Sequence, residues 1–159
     1  MKKRITVPND LSSGERQLVA RKVIERIQDR TDAGRDVNNV KFPSYSDEYA
    51  DSLEFKIAGK SKGNVNLQQS GDTIHSIELL DHGSGFISIG FEGGSEENDK
   101  GTWLEASDNG VSRKFLGIND DDLRTIVNKV KKQRTDSKAR NRELVTESAV
   151  SSILKRLGF

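Results

Sequence analysis

At 159 residues, with 32% hydrophobic and 32% charged side chains, the chain has the length of one domain with extensions and less apolar material than a typical soluble domain. Its 26 basic residues against 25 acidic ones leave a net charge of +1. Full disorder and dedicated nucleic-acid binding both go with a larger imbalance, so a modest core with long polar arms is expected. The absence of cysteine excludes disulfides, thiolate nucleophiles and cysteine-based zinc sites, and it fits a reducing cytosol.

Lys2, Lys3 and Arg4 look like the start of an export signal, but Pro8, Asn9 and Asp10 stand where its apolar run would be, so no such signal is expected. No stretch approaches the roughly 20 apolar residues of a membrane helix, and no membrane partner is expected. The first helix is predicted from Ser12. Ser12 and Glu15 have capping-box spacing, Leu18, Val19, Val23, Ile24 and Ile27 recur at helical spacing, and Gly34 supplies the stop. Residues 31–46 read as irregular, with Phe42-Pro43-Ser44-Tyr45-Ser46 an ordered loop packed on the core. Asp47 to Lys56 is predicted as a short second helix with Tyr49, Leu53 and Phe55 facing inward. Gly59 to Gly63 is a basic loop.

The centre reads as β structure. One strand is predicted to hold Ile74, Ile77 and Leu79, a turn is expected over Asp81-His82-Gly83-Ser84-Gly85, and Phe86 to Phe91 makes the returning strand. Ile87, Ile89 and Phe91 share one face at period two, so the two runs form a hairpin. Glu92 to Asp99 is read as an acidic, mobile loop, and Thr102 to Ala106 as a short helix. Asp108-Asn109-Gly110 is a turn, and Arg113 to Ile118 is extended. Asn119 and Asp120 offer N-caps for a helix carrying Leu123, Ile126, Val127 and Val130. From 131 to 142 six basic residues (Lys131, Lys132, Arg134, Lys138, Arg140, Arg142) stand against Asp136, as a polar helix extension or a linker. A last amphipathic helix is predicted from Thr146, with Ala149, Val150, Ile153, Leu154 and Leu157 as its stripe. The expected fold is α+β: a small antiparallel sheet packed by helices, residues 1–130, followed by a basic linker and helical C-terminal arm, residues 131–159.

Little here points to catalysis. His75 and His82 are the only histidines, one expected in a strand and one in a turn, with no orienting acid at a telling spacing. Asp120-Asp121-Asp122 could suggest magnesium, but acids in a first helical turn serve the macrodipole and the free N–H groups. Gly90, Gly93 and Gly94 lack the Gly-Lys-Ser/Thr ending of a phosphate loop. No catalytic residue, metal site or cofactor is expected. The basic run 131–142 is either a solvated face or a surface for DNA phosphates or an acidic partner. It has no interleaved aromatics for base stacking.

Several segments, in order, resemble the virion-morphogenesis family of tailed bacteriophages, which includes Mu-type members and is related to tail-completion and head–tail joining proteins. They are Phe42 to Ala50 (aromatic-proline, spacer, Ser, Tyr-Ala), Asn66 to Ile77, Ile87-Ser88-Ile89-Gly90-Phe91, and Trp103-Leu104-Glu105 followed by Arg113-Lys114-Phe115-Leu116-Gly117-Ile118 and Asp121-Asp122. The last is similar to the family's Arg-(Pro/small)-Phe-Leu-Gly element and acidic helix start. The likeness spans about residues 40–130. The chain departs from the pattern at Ala106-Ser107, where many relatives have Gly-Thr, and at Lys114, where many have Pro.

The resemblance implies a structural protein of the virion, assembled in the host cytoplasm, at the neck or tail end. Its partners would be copies of itself in a closed ring, a hexamer or dodecamer, and other neck, connector or tail proteins, with DNA passing the lumen without sequence recognition. A tail-terminator or tail-tube role is an alternative within the class. A DNA-binding accessory protein using Lys131 to Arg142 is one outside it. Arg113 beside Phe115 and Leu116 reads either as a loop pinned to the core or as an interface anchor, with Trp103 a further contact. Val150, Ile153, Leu154 and Leu157 need a surface to bury against, in the same chain or a neighbouring one.

Overall fold

Ser12 starts the first long helix as its spacing predicts. Its hydroxyl accepts from the Glu15 amide, and the Glu15 carboxylate accepts from the Ser12 amide at 2.8 Å. Two backbone donors that a helix leaves without partners are thereby satisfied. The computed structural model describes residues 1–63, 65, 67, 72–106 and 113–156, with the side chains of all but Asp72, Glu143 and 148–156. Helix α1 (Ser13–Asp32) turns Val19, Ala20, Val23 and Ile27 inward. Gly34 follows its end at φ 73°, the left-handed conformation that glycine adopts at no steric cost.

The sheet holds β1 (Lys2–Thr6), β2 (Glu78–Gly83) and β3 (Phe86–Gly90) in the order β1-β3-β2, antiparallel throughout. A two-residue turn, Ser84-Gly85, joins β2 to β3, with Gly85 at φ 81°. Such short connections need a positive φ to match the strand twist. The central strand buries Ile87 and Ile89 completely, in one core with Val19, Val23 and Ile27 of α1. The Phe91 ring meets Phe115 with centroids 6.3 Å apart. The chain is therefore α+β, with a small antiparallel sheet packed by helices.

Several local expectations are corrected. Strand β1 was not anticipated: Ile5 is its one buried residue. Ile74 belongs to a short helix, α4 (Asp72–His75), and Ile77 precedes β2, so their three-residue spacing is helical. His75 ends that helix, and His82 lies within β2 and not in a turn. Residues 92–99 are not all loop, because Ser95 caps α5 (Glu96–Glu105), its side chain accepting from Asn98 N at 3.1 Å. The second predicted helix divides into α2 (Asp47–Asp51) and α3 (Leu53–Ile57), since Ser52 leaves helical geometry and caps α3. Phe55 is buried there, Tyr49 is partly buried, and Leu53 points to solvent. The turn at 108–110 lies outside the described residues.

The largest difference concerns the end of the chain. Helix α6 runs from Asp120 to Arg156 as 37 continuous residues, about 55 Å at 1.5 Å per residue. The basic stretch 131–142 is thus helix and not linker, and no new helix begins at Thr146. The absence of Gly and Pro from 120–156, where Lys, Arg, Leu and Glu are frequent, fits the continuity.

Candidate functional site

The segment that joins α5 to α6 is held from three sides. Arg30 of α1, 2% exposed, donates from Nη2 to the carbonyl oxygens of Phe115 (2.6 Å) and Gly117 (3.1 Å). The Leu116 amide donates to Glu105 Oε1 of α5 at 2.7 Å. Val37 N donates to Lys114 O at 2.9 Å. Buried loop backbone must find such partners, and here side chains from two helices supply them. Phe115 and Leu116 point into the core, which corrects their reading as interface anchors. They cannot reach a partner without opening the fold. Arg113 is half-buried, its guanidinium 5.5 Å from the centroid of the Tyr45 ring, so it too serves its own chain. Trp103 alone of this group is exposed, at 59%.

Two ion-pair networks fix the origin of α6. Asn119 caps it, accepting from Asp122 N at 2.8 Å. The Asp122 carboxylate accepts from Arg26 Nε and Asn119 Nδ2, both at 3.0 Å. Burial pushes the Asp122 carboxyl up, but Arg26 and Asn119 outweigh it and hold the group below its ordinary value. This carboxylate is committed to structure. Just past Val130, Lys131 and Arg134 pair with Asp10, and Arg134 lies 3.4 Å from Glu15 Oε1. Asp10 is lowered chiefly by the Lys131 hydrogen bond, and Glu15 by the Ser12 backbone amide.

Two of the six basic residues therefore anchor the helix to the start of α1. The other four, Lys132, Lys138, Arg140 and Arg142, are exposed. Beyond Arg134 every described side chain of α6 is exposed, including Leu144 at 56% and Val145 at 70%. The structure does not describe the side chains of Val150, Ile153 and Leu154, and Leu157 lies outside the described residues. What is built is a body with a helical arm, anchored over its first four turns and bare thereafter.

Elsewhere, a cavity of about 330 Å³ opens between α4, β2 and α5, lined by His75, Glu78, Glu92, Glu97 and Phe91 among others. Its polar rim is acidic. Among the described residues no three His, Asp or Glu side chains stand where they could hold one metal ion. His82 faces Gln17, Nε2 to Nε2 at 3.3 Å. No described helix is long and apolar enough to cross a membrane. Comparison with protein-family models, with curated proteins and with solved structures gave no match.

Arg30 went unremarked in the sequence. Its signal was positional, since Val19, Val23, Ile27 and Arg30 follow one another at steps of four, four and three, which puts the arginine in the apolar stripe.

Proposed function

We propose that the chain is a structural subunit of a tailed-phage particle, placed at the neck or tail end, that assembles into a closed ring through which DNA passes. The observation that carries the assembly reading is the bare arm. A helix that leaves its own body and exposes Leu144 and Val145 has apolar surface to bury, and helices in proteins gain most of their stability from packing. The ordered motifs of residues 42–122 support the placement in a phage particle. The low apolar content fits a chain stabilised by its neighbours.

The test is the mass of the purified protein by light scattering after size exclusion, for the full chain and for a chain lacking residues 143–159. The full chain is expected as a closed ring of fixed copy number and the shortened one as smaller species. Unchanged ring formation without residues 143–159 overturns the role of the arm.

A second reading rests on the four exposed cations of α6. A DNA-binding accessory protein would bind duplex DNA with an affinity that falls steeply as salt rises, by a log–log slope of roughly −0.9 per phosphate neutralised. Absence of binding at low salt removes this reading.

A further inference from the structure

Six large apolar side chains are exposed among the described residues: Val40, Leu53, Ile57, Trp103, Leu144 and Val145. Four of them form two pairs. Leu53 and Ile57, 71% and 77% exposed, are four residues apart on α3 and therefore neighbours on one face. Phe55 anchors the helix from its other side, in edge-to-face contact with Tyr45 and Tyr49 at 5.4 and 5.3 Å. The pair is thus presented on a supported element. Leu144 and Val145 form the second pair, out on the arm.

The charges around the two pairs are opposite. Glu48, Asp51 and Glu54 are exposed on α2 and α3, and none of them is in an ion pair among the described residues. Asp47, the other acid there, is bound to Lys62, and Lys56 is the one cation within the two helices. Lys138, Arg140 and Arg142 precede Leu144 by less than two turns. They are likewise exposed and in no ion pair among the described residues. Of the arm's acids, Asp136 stands two residues before Lys138, while Glu143 and Glu147 lie beside or beyond the apolar pair.

We infer that the arm of one copy docks on α3 of the next, with Leu144 and Val145 against Leu53 and Ile57, and with Lys138 and Arg142, four residues apart and on the Val145 side of the helix, facing Glu48, Asp51 and Glu54. The occupant is a second copy because both halves of the contact are on this chain. It is not the same copy's arm: α6 is one continuous helix packed on α1 at its base, and Leu144 lies ten residues, about 15 Å, beyond Arg134. The two patches differ, so the contact is head-to-tail. Such contacts close into a ring when the rotation between copies allows it. This inference rests on the ring-forming reading above and names the surface that would serve it.

The cysteine-free sequence permits a direct test. Full-length Leu53→Cys and Val145→Cys chains are mixed and treated with a short bismaleimide, which joins two thiols without oxidation. Cross-linked species containing one chain of each kind are expected, with little cross-linking of either variant alone. In parallel, the double reversal Lys138→Glu, Arg142→Glu is expected to abolish assembly. The reversal Glu48→Lys, Asp51→Lys, Glu54→Lys is expected to do the same, and mixing the two reversed chains is expected to restore assembly in part. All these positions are exposed, so the variants fold. If rings form but neither the mixed cross-link nor the reversals have an effect, the α3 surface is wrong while the ring reading stands. If the wild-type chain does not associate and no mixed cross-link forms at high concentration, both fall.

Discussion

The Arg30 guanidinium and the Phe115 carbonyl oxygen lie 2.6 Å apart, joined across 85 positions of sequence. One charged side chain in the core stripe of α1 thus helps fix where the last loop before α6 lies. Burial, and then Arg26, push the Arg30 pKa down, while Asp122 and Asp36 oppose them. Arg30 Nε and Nη1 have no hydrogen-bond partner among the described residues, so the group is held at a cost. Replacing Arg30 by Met removes that burden but leaves the Phe115 and Gly117 carbonyls without their donor. The net loss expected in chemical denaturation is about 2–4 kcal/mol. A loss below about 0.5 kcal/mol would show that packing and the Glu105 and Val37 hydrogen bonds hold the loop without Arg30.

Thr31, the next residue, is fully buried and its hydroxyl has no partner among the described residues. Thr31→Val keeps the shape and removes an unpaired polar atom. Stability is expected to stay level or rise by about 1 kcal/mol. A clear loss in the same denaturation experiment would mean that the hydroxyl has a bond the fold requires.

Asp122 contributes to the acid limb of stability. Its carboxyl is held below its ordinary value in the folded chain, so the unfolded chain takes up its proton first as pH falls. The stabilisation is complete above the ordinary carboxylate range and disappears as pH drops through the lowered folded value. Asp122→Asn is expected to cost about 1 kcal/mol at neutral pH and almost nothing once both chains are protonated. Unfolding midpoints measured from pH 7 down to pH 3 should therefore converge. Parallel curves would remove the Arg26 pairing as their cause.

Gly101 is buried within α5, where a Cβ would come 2.5 Å from Cε2 of the Phe91 ring. Helix propensity alone would make Gly101→Ala stabilising by about 1 kcal/mol. The clash with a buried ring is expected to reverse the sign, for a net loss of roughly 1–3 kcal/mol. In a Phe91→Leu background the same change should cost less, and strict additivity of the two substitutions would exclude the contact.

The sequence makes some of these features plain and conceals others for physical reasons. Helix α1 is legible because Ser12, Glu15 and the stripe from Leu18 to Ile27 all state the same thing at short range. The β2–β3 hairpin is legible in the alternation of Ile87, Ile89 and Phe91. Strand β1 is not, since Lys2, Lys3, Arg4 and Thr6 look outward and its partners in β3 are 80 to 88 residues away. Helix α5 is masked by Gly93, Gly94 and Gly101. The usable clue was Ser95 ahead of Glu96, Glu97 and Asp99, a cap and an acidic first turn. In the site, the exposure of Leu53 could not be read from its spacing, because Ser52 breaks the helix and resets its phase. The burial of Phe115 and Leu116 goes with long-range bonds from Arg30, Glu105 and Val37 to their segment, which no local pattern records.

The continuity of α6 carries a consequence of phase. A single helix links the turn fixed by Asp122 and Arg26 to the apolar pair at Leu144 and Val145, so the bearing of that pair about the helix axis is set by a residue count. Each residue inserted between Arg134 and Lys138 would swing the pair through about 100° and advance it 1.5 Å. One or two added residues would aim it away from where one copy meets the next. Seven would bring it back to within about 20°, displaced by roughly two turns. The arm therefore acts as a gauge whose length and orientation cannot vary independently.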